Sequence, residues 1–159
     1  ITPMGMALRI NTTEGSLLLK LRPDAAPQTV AYISELVSKG KYNFPAASFY
    51  RSDFVIQCGL HPQRCPLPNI PVNETHAHTF LTNKRGTAAI AHFDVPDCGN
   101  SEFFINLQHN AHLDSAYGGY CVFAEADESD RDTDATINSI AAAVKKSSKV
   151  QINNIELLE

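Results

Sequence analysis

Only two stretches of this chain carry helical spacing; the other regular runs are short, mix apolar with polar residues and are bounded by Gly, Pro, Asn or Asp. Such a chain lacks the strand-helix-strand rhythm that builds a parallel sheet, so its strands must pair antiparallel and close on one another. Residues 6–11 alternate, 12–15 supply turn formers and 17–21 resume an apolar run, which predicts a β-hairpin. Pro27 suits a first helical position, and Val30, Ile33, Leu36 and Val37 recur at helical spacing until Gly40 ends the pattern. Further β-like runs fall at 48–57, 87–91, 102–107 and 120–124. A second helix is expected over 135–146, where Ile137, Ile140 and Val144 share a face; acids precede its start and Lys145 and Lys146 close its end, as a helix dipole prefers. An alternating segment over 150–158 completes the sheet, and the proline-rich stretch 61–78 reads as a long surface loop. The expectation is a mainly β fold, with about six to eight antiparallel strands closed into a barrel and capped by two helices.

With 159 residues, 43% of them hydrophobic, the chain can bury a core of its own, and residues 1–159 read as one domain that needs neither disulfides nor metal. A net charge of -4 with scattered Lys and Arg offers no basic stripe to a phosphate backbone, which argues against nucleic acid as a partner. No apolar run approaches the roughly 20 residues of a membrane-spanning helix, so no membrane contact is expected, and a monomer is. The chain opens at Ile1 instead of methionine, which reads as a processed or trimmed start. Six acids crowd positions 125–134, but the central glycine and closing glutamate of a calcium loop are missing, so the run reads as solvated surface. No P-loop, G-x-S-x-G or H-E-x-x-H occurs, which leaves phosphate, triad and zincin chemistries unsupported.

Two segments stand out: F-Y-R-S-D-F-V-I-Q-C-G over 49–59 and G-T-A-A-I-A-H-F-D-V-P-D-C-G-N-S-E-F-F-I-N-L over 86–107. They resemble the cyclophilins, the peptidyl-prolyl cis/trans isomerases, whose motifs read approximately F-H-R-V-x-x-x-F-M-I-Q-G-G and G-x-x-x-M-A-x-x-x-x-x-x-x-S-Q-F-F-I. Leu113-Asp114 and the run G-Y-C-V-F-A-E over 119–125 are similar to further family stretches in the form common among bacterial-type members. The resemblance fails mainly between residues 60 and 80. It implies a closed eight-stranded antiparallel β-barrel capped by two α-helices, and an isomerase that assists protein folding.

Rotating an X-Pro bond breaks amide resonance at a barrier of roughly 18–20 kcal/mol, yet makes and cuts no bond. The chemistry therefore needs no nucleophile, metal or cofactor. It needs an apolar seat for the proline ring and a fixed donor aimed at the proline nitrogen as its lone pair localises. A guanidinium serves well, since it stays charged and presents several N–H groups in one plane. By resemblance Arg51 is that catalytic donor. Phe54, Val55, Phe104 and Leu113 line the proline pocket, Gln57 holds the arginine, and Ala91 and His92 contact the peptide, His92 through its backbone. Tyr120 occupies a position that is often histidine. The implied partners are proline-containing peptides or client proteins, with cyclosporin-type inhibitors as weak ligands.

Four departures bear on rate. Only two residues, Ser52 and Asp53, separate Arg51 from Phe54, two fewer than the usual motif. Glu102 replaces a glutamine, so a carboxylate is expected near Arg51, either orienting it or occupying its donors. Phe93 replaces a small residue and narrows the groove, and His112 stands where many members have tryptophan. Beyond the motifs, His76 and His78 with His61 or Cys65 make a weak metal candidate. Cys121 reads as a buried thiol, whereas Cys58, Cys65 and Cys98 fall in or beside loops, which leaves a disulfide or redox switch open. The triplets at 11–13 and 73–75 match glycosylation sequons. Two rivals to an isomerase stand on sequence alone: a proline-peptide binding module with weak or lost catalysis, and a metal- or redox-responsive scaffold.

Overall fold

The computed structural model describes residues 6–60, 67–92 and 99–158. Strands β1 (Ala7–Thr12) and β2 (Gly15–Leu21) form the expected hairpin. Its turn is tight because Gly15 holds a φ of 117° and Thr12 Oγ1 accepts the Glu14 N–H at 3.0 Å. Helix α1 (Pro27–Ser38) follows and buries Val30, Ile33, Leu36 and Val37, the stripe read from the spacing. Ala26 at its N-cap has no side-chain oxygen to offer, so the first amides are satisfied from afar. The buried Glu74 carboxylate accepts the N–H groups of Gln28 at 3.1 Å and Thr29 at 2.8 Å, and the Thr29 hydroxyl at 2.8 Å.

The run 48–57, read as one strand, is two: β3 (Ala47–Ser52) and β4 (Val55–Leu60) form a hairpin that turns at Asp53 and Phe54. The turn contains neither Gly nor Pro, so no breaker divides the β-like run. Next come β5 (Thr87–Ile90), β6 (Phe103–Asn106), two short 3-10 turns (Ala111–Asp114 and Ala116–Gly118) and β7 (Val122–Ala126). Helix α2 (Thr133–Ser147) and β8 (Val150–Leu158) close the chain's regular structure. The strands pair antiparallel into a closed barrel in the order β1-β2-β7-β5-β6-β4-β3-β8, so no edge is left unpaired. Its interior is filled by Leu8, Ile10, Leu17, Leu19, Phe49, Phe103 and Phe123 among others, while α1 and α2 contribute Ile33, Leu36, Ile137 and Ile140.

The stretch read as a surface loop is more deeply set than expected: Ile70, Glu74 and Thr75 are buried. Glu74 explains much of this, since the cap it supplies to α1 pins the segment to the barrel. Among the described residues, no helix is long and apolar enough to cross a membrane.

Candidate active site

Alternation along the strands divides the apolar residues between two faces. Ile56 and Cys58 of β4, Phe103 and Ile105 of β6, Ala88 of β5 and Phe123 of β7 belong to the barrel core. Their neighbours Val55, Phe104, Ala89 and Val122 turn the other way and, with Leu113, make a second apolar cluster edged by Phe54, Ala91 and Tyr120. Above this cluster lies a cleft of about 270 Å³ lined by Arg51, Phe54, Val55, Gln57, Ala91, His92, Phe104, Leu113 and Tyr120.

Arg51 reaches the cleft through a β-bulge. Phe49 pairs with Cys58 but Arg51 pairs with Gln57, so Tyr50 is an extra residue on its strand. Strict alternation would send Arg51 to the same side as the fully buried Phe49; the extra residue resets the parity and turns Arg51 outward beside Gln57. The guanidinium is then held from several sides. Its Nε donates to Asp53 Oδ2 at 2.8 Å, one Nη donates to Gln57 Oε1 at 3.4 Å, and its carbon sits 5.5 Å from the centroid of the Phe54 ring. Asp53 is itself fixed, because its other oxygen accepts the Val55 N–H at 3.2 Å.

Glu102 does not pair with Arg51, contrary to the expectation from its place in the motif. The two are joined through intermediates. Arg51 donates to Gln57, the Gln57 amide donates to the Tyr50 hydroxyl at 2.9 Å, and that hydroxyl donates to the Glu102 carboxylate. Partial burial and the adjacent Glu102 carboxylate together raise the Tyr50 hydroxyl above its ordinary value, so it remains a donor at any physiological pH. The acid that touches the arginine is Asp53, from the shortened turn.

The opposite wall is aromatic. His92 stacks on Tyr120 at 4.1 Å between centroids with an interplanar angle of 11°, and Phe104 meets Tyr120 edge-on at 5.8 Å. His92 Nε2 hydrogen-bonds the Gly119 carbonyl at 2.8 Å. Gly119 has a φ of 92°, and a side chain there would strike Thr75 and the Asp114 carbonyl. Across the cleft His112 packs edge-on against Phe54 at 5.4 Å.

Beneath the cleft runs a polar network that sequence reading missed. Asn110 donates to the Phe54 carbonyl at 3.0 Å and to Asn106 Oδ1 at 2.9 Å. Asn106 donates to Asn83 Oδ1 at 3.0 Å, and Asn83 donates to the Tyr120 carbonyl at 3.1 Å and to Asp114 Oδ1 at 2.9 Å. Backbones of two lining residues, Phe54 and Tyr120, are thus tied to one buried cluster, while Leu113 N–H donates to the Asn110 carbonyl at 2.9 Å. Burial raises the Asp114 carboxyl, but hydrogen bonds from Thr82 and Asn83 outweigh it and leave the group below its ordinary range.

Nine of the residues expected at the site line the cleft. His112 stands at its rim on Phe54, Glu102 lies beyond Gln57 and Tyr50, and Phe93 lies outside the described residues. Cys58, expected in or beside a loop, is a free thiol fully buried in β4, and burial pushes its pKa up. Cys121 is also free, buried as expected, with its pKa pushed up to about 12 by burial. Neither is a reactive thiolate. Cys65, Cys98 and His61 lie outside the described residues. Among those described, no three metal-ligating side chains come together: His76 stacks on Phe80 and His78 Nε2 lies 3.5 Å from Glu74. The sequon amides of Asn11 and Asn73 are both engaged, Asn11 with Asn154 at 2.6 Å and Asn73 with the Gly119 carbonyl at 2.8 Å.

Residues 7–157 match the family model for cyclophilin-type peptidyl-prolyl cis-trans isomerases. Peptidyl-prolyl cis-trans isomerase B of Escherichia coli is 33% identical over 121 residues, covering 72% of this chain and 74% of that protein. The isomerase cyp18 of Streptomyces antibioticus is 31% identical over 136 residues, covering 80% and 81%. A crystal structure of a Cryptosporidium parvum cyclophilin superposes with a TM-score of 0.78 at 20% identity, covering 98% of each chain. Another structure of that protein, in the presence of the dipeptide Ala-Pro, gives a TM-score of 0.76 at 20% identity, covering 96% of this chain and 99% of that one.

Proposed function

The chain belongs to the cyclophilin-type peptidyl-prolyl cis-trans isomerases and catalyses cis/trans isomerisation of X-Pro bonds, and from that premise we propose that the reaction takes place in the cleft between Arg51 and Tyr120, on flexible segments of peptides and client proteins. The observation that carries this reading is a bulge-directed guanidinium set over an apolar floor. The proline ring seats on Val55, Phe104 and Leu113, and the His92 backbone holds the preceding residue. Arg51 directs its remaining Nη–H donors at the proline nitrogen. As that nitrogen turns pyramidal and loses conjugation, its lone pair gains a charged donor it did not have in the planar ground state. Stabilisation confined to the transition state accelerates the turn without tightening substrate binding. The Nε and one Nη are already spoken for by Asp53 and Gln57, so the guanidinium arrives oriented. The Ala-Pro dipeptide used with the Cryptosporidium protein is the natural first probe.

Titrating an Ala-Pro-containing peptide into isotopically labelled protein tests the site. Amide shifts are expected to concentrate at Phe54, Ala91, His92, Phe104, Leu113 and Tyr120. A pattern that avoids these residues while the peptide is turned over would place the reaction elsewhere.

A further inference from the structure

We propose that the groove continues past the proline pocket into a second subsite, built on Tyr50 and Glu102, that selects substrates carrying a lysine or arginine close to the X-Pro pair; the inference rests on the isomerase reading above. The chain of hydrogen bonds from Gln57 through Tyr50 to Glu102 separates two cavities. Gln57 lines the proline cleft on one side. Tyr50 and Glu102 line a larger cavity of about 660 Å³ on the other, together with Phe44, Leu60 and Lys149. A peptide seated in the first cavity therefore needs only to pass this partition to enter the second.

The charge at the partition is set by Glu102. Asp53 is matched by Arg51 at 2.8 Å, so that pair contributes little net field. Glu102 has no cation within ion-pair distance among the described residues. One of its oxygens accepts the Tyr50 hydroxyl; the other makes no hydrogen bond among the described residues. The carboxylate is also fixed in place. Its side chain lies over Gly59, where an added Cβ would collide with Glu102 Cγ, so the absent side chain is what lets the acid reach Tyr50. Lys149 lines the same cavity but is exposed and makes no ion pair with Glu102, and its flexible stem leaves its charge unfixed.

Such a site suits a long cationic side chain. The apolar stem of a lysine or arginine would lie along Phe44, which is 61% exposed, while its head meets the free carboxylate oxygen. The glutamine of the family motif would offer hydrogen bonds at this place but no charge, so the preference is a property of this chain.

The test is a peptide series identical but for one Lys, Gln or Glu moved through the positions flanking X-Pro, with turnover measured for each. At one position the lysine peptide is expected to exceed the glutamate peptide in kcat/KM by about two- to fivefold at low salt, as for a partly exposed ion pair. At about 1 M salt, where screening acts over roughly 3 Å, the ratio should fall towards one. Glu102→Gln should abolish the ratio, and Glu128→Gln, an equal charge change on the exposed stretch after β7, should keep it. If Glu102→Gln does not fold, Tyr50→Phe, which unpins the carboxylate, should reduce the ratio instead. Turnover without preference, or a preference that survives Glu102→Gln, overturns the subsite and leaves the isomerase reading standing. No turnover of any peptide overturns both.

Discussion

Arg51 is held chiefly by Asp53, because its bond to Gln57 at 3.4 Å is at the limit of a hydrogen bond while that to Asp53 is 2.8 Å. The carboxylate orients the guanidinium and also opposes its charge. At this exposed position the opposing field is worth about 1 kcal/mol in water, whereas releasing a long side chain restores up to about 2 kcal/mol of rotamer freedom that productive alignment must then remove. Orientation should therefore win. Asp53→Ala is expected to lower turnover about fivefold with KM little changed, and Asp53→Asn, which keeps an acceptor, to lower it less. An asparagine variant faster than wild type would show that charge cancellation dominates. His112 makes a second case at this scale. It is exposed and packs on Phe54 at the rim, so it faces whatever fills the cleft. Replacing it with tryptophan adds on the order of 50 Å² of apolar contact, close to tenfold in affinity at roughly 25 cal/mol per Å². Cyclosporin should accordingly bind His112→Trp about tenfold more tightly than wild type by calorimetry; equal or weaker binding would mean the residue does not touch the ligand.

At the scale of elements, the cleft's geometry depends on the 3-10 turn after β6 being fastened to the segment that leads into β5, and Asp114 is central to that fastening. Its carboxyl lies below the unfolded value, so the stability it contributes is fully present above the unfolded range near 4 and is lost as pH falls through the folded value. Asp114→Asn should cost about 1–3 kcal/mol at neutral pH, and the gap to wild type should close in acid denaturation profiles below about pH 4. A gap that stays constant with pH would remove the carboxylate from the account. Asn106 and Asp114 fall inside motif stretches, but nothing in the sequence marks them as partners. Asn106, Asn110 and Asp114 fall four residues apart, but the chain there is a strand end and a 3-10 turn instead of one helix, and Asn83 joins them only through the barrel's closure. The hairpin at Asp53 was hidden for a different reason. With neither Gly nor Pro in its turn, the β-like run 48–57 carries no breaker, and the bulge at Tyr50 that aims Arg51 leaves no mark in residue type. The helices and the outer hairpin were legible because each is specified within itself, by Pro27 and the α1 stripe or by the turn at Gly15.

Across the whole molecule, the closed barrel gives the groove a rigid wall whose two faces are both apolar where it matters, one filling the core and one flooring the cleft. Sequence patterning predicted the closure because no rhythm for a parallel sheet existed, but not the strand order, which long-range pairing decides. The motif residues converged because they lie on strands and turns adjacent in that order; β4, β6, β5 and the 3-10 turn all meet at the cleft. Glu102 was misplaced since a motif position fixes a strand register, not the partner a side chain chooses. The central claim is that Arg51 acts on the turning bond and not on binding. Exchange spectroscopy on one X-Pro peptide, with its Kd measured under the same conditions, separates the two for wild type and Arg51→Ala. Loss of one transition-state donor costs about 3 kcal/mol, so catalysed exchange should fall by at least about tenfold while Kd changes by less than about threefold and the fold stays intact. Wild-type exchange in the variant, or a fall matched by an equal loss of binding, would contradict the account.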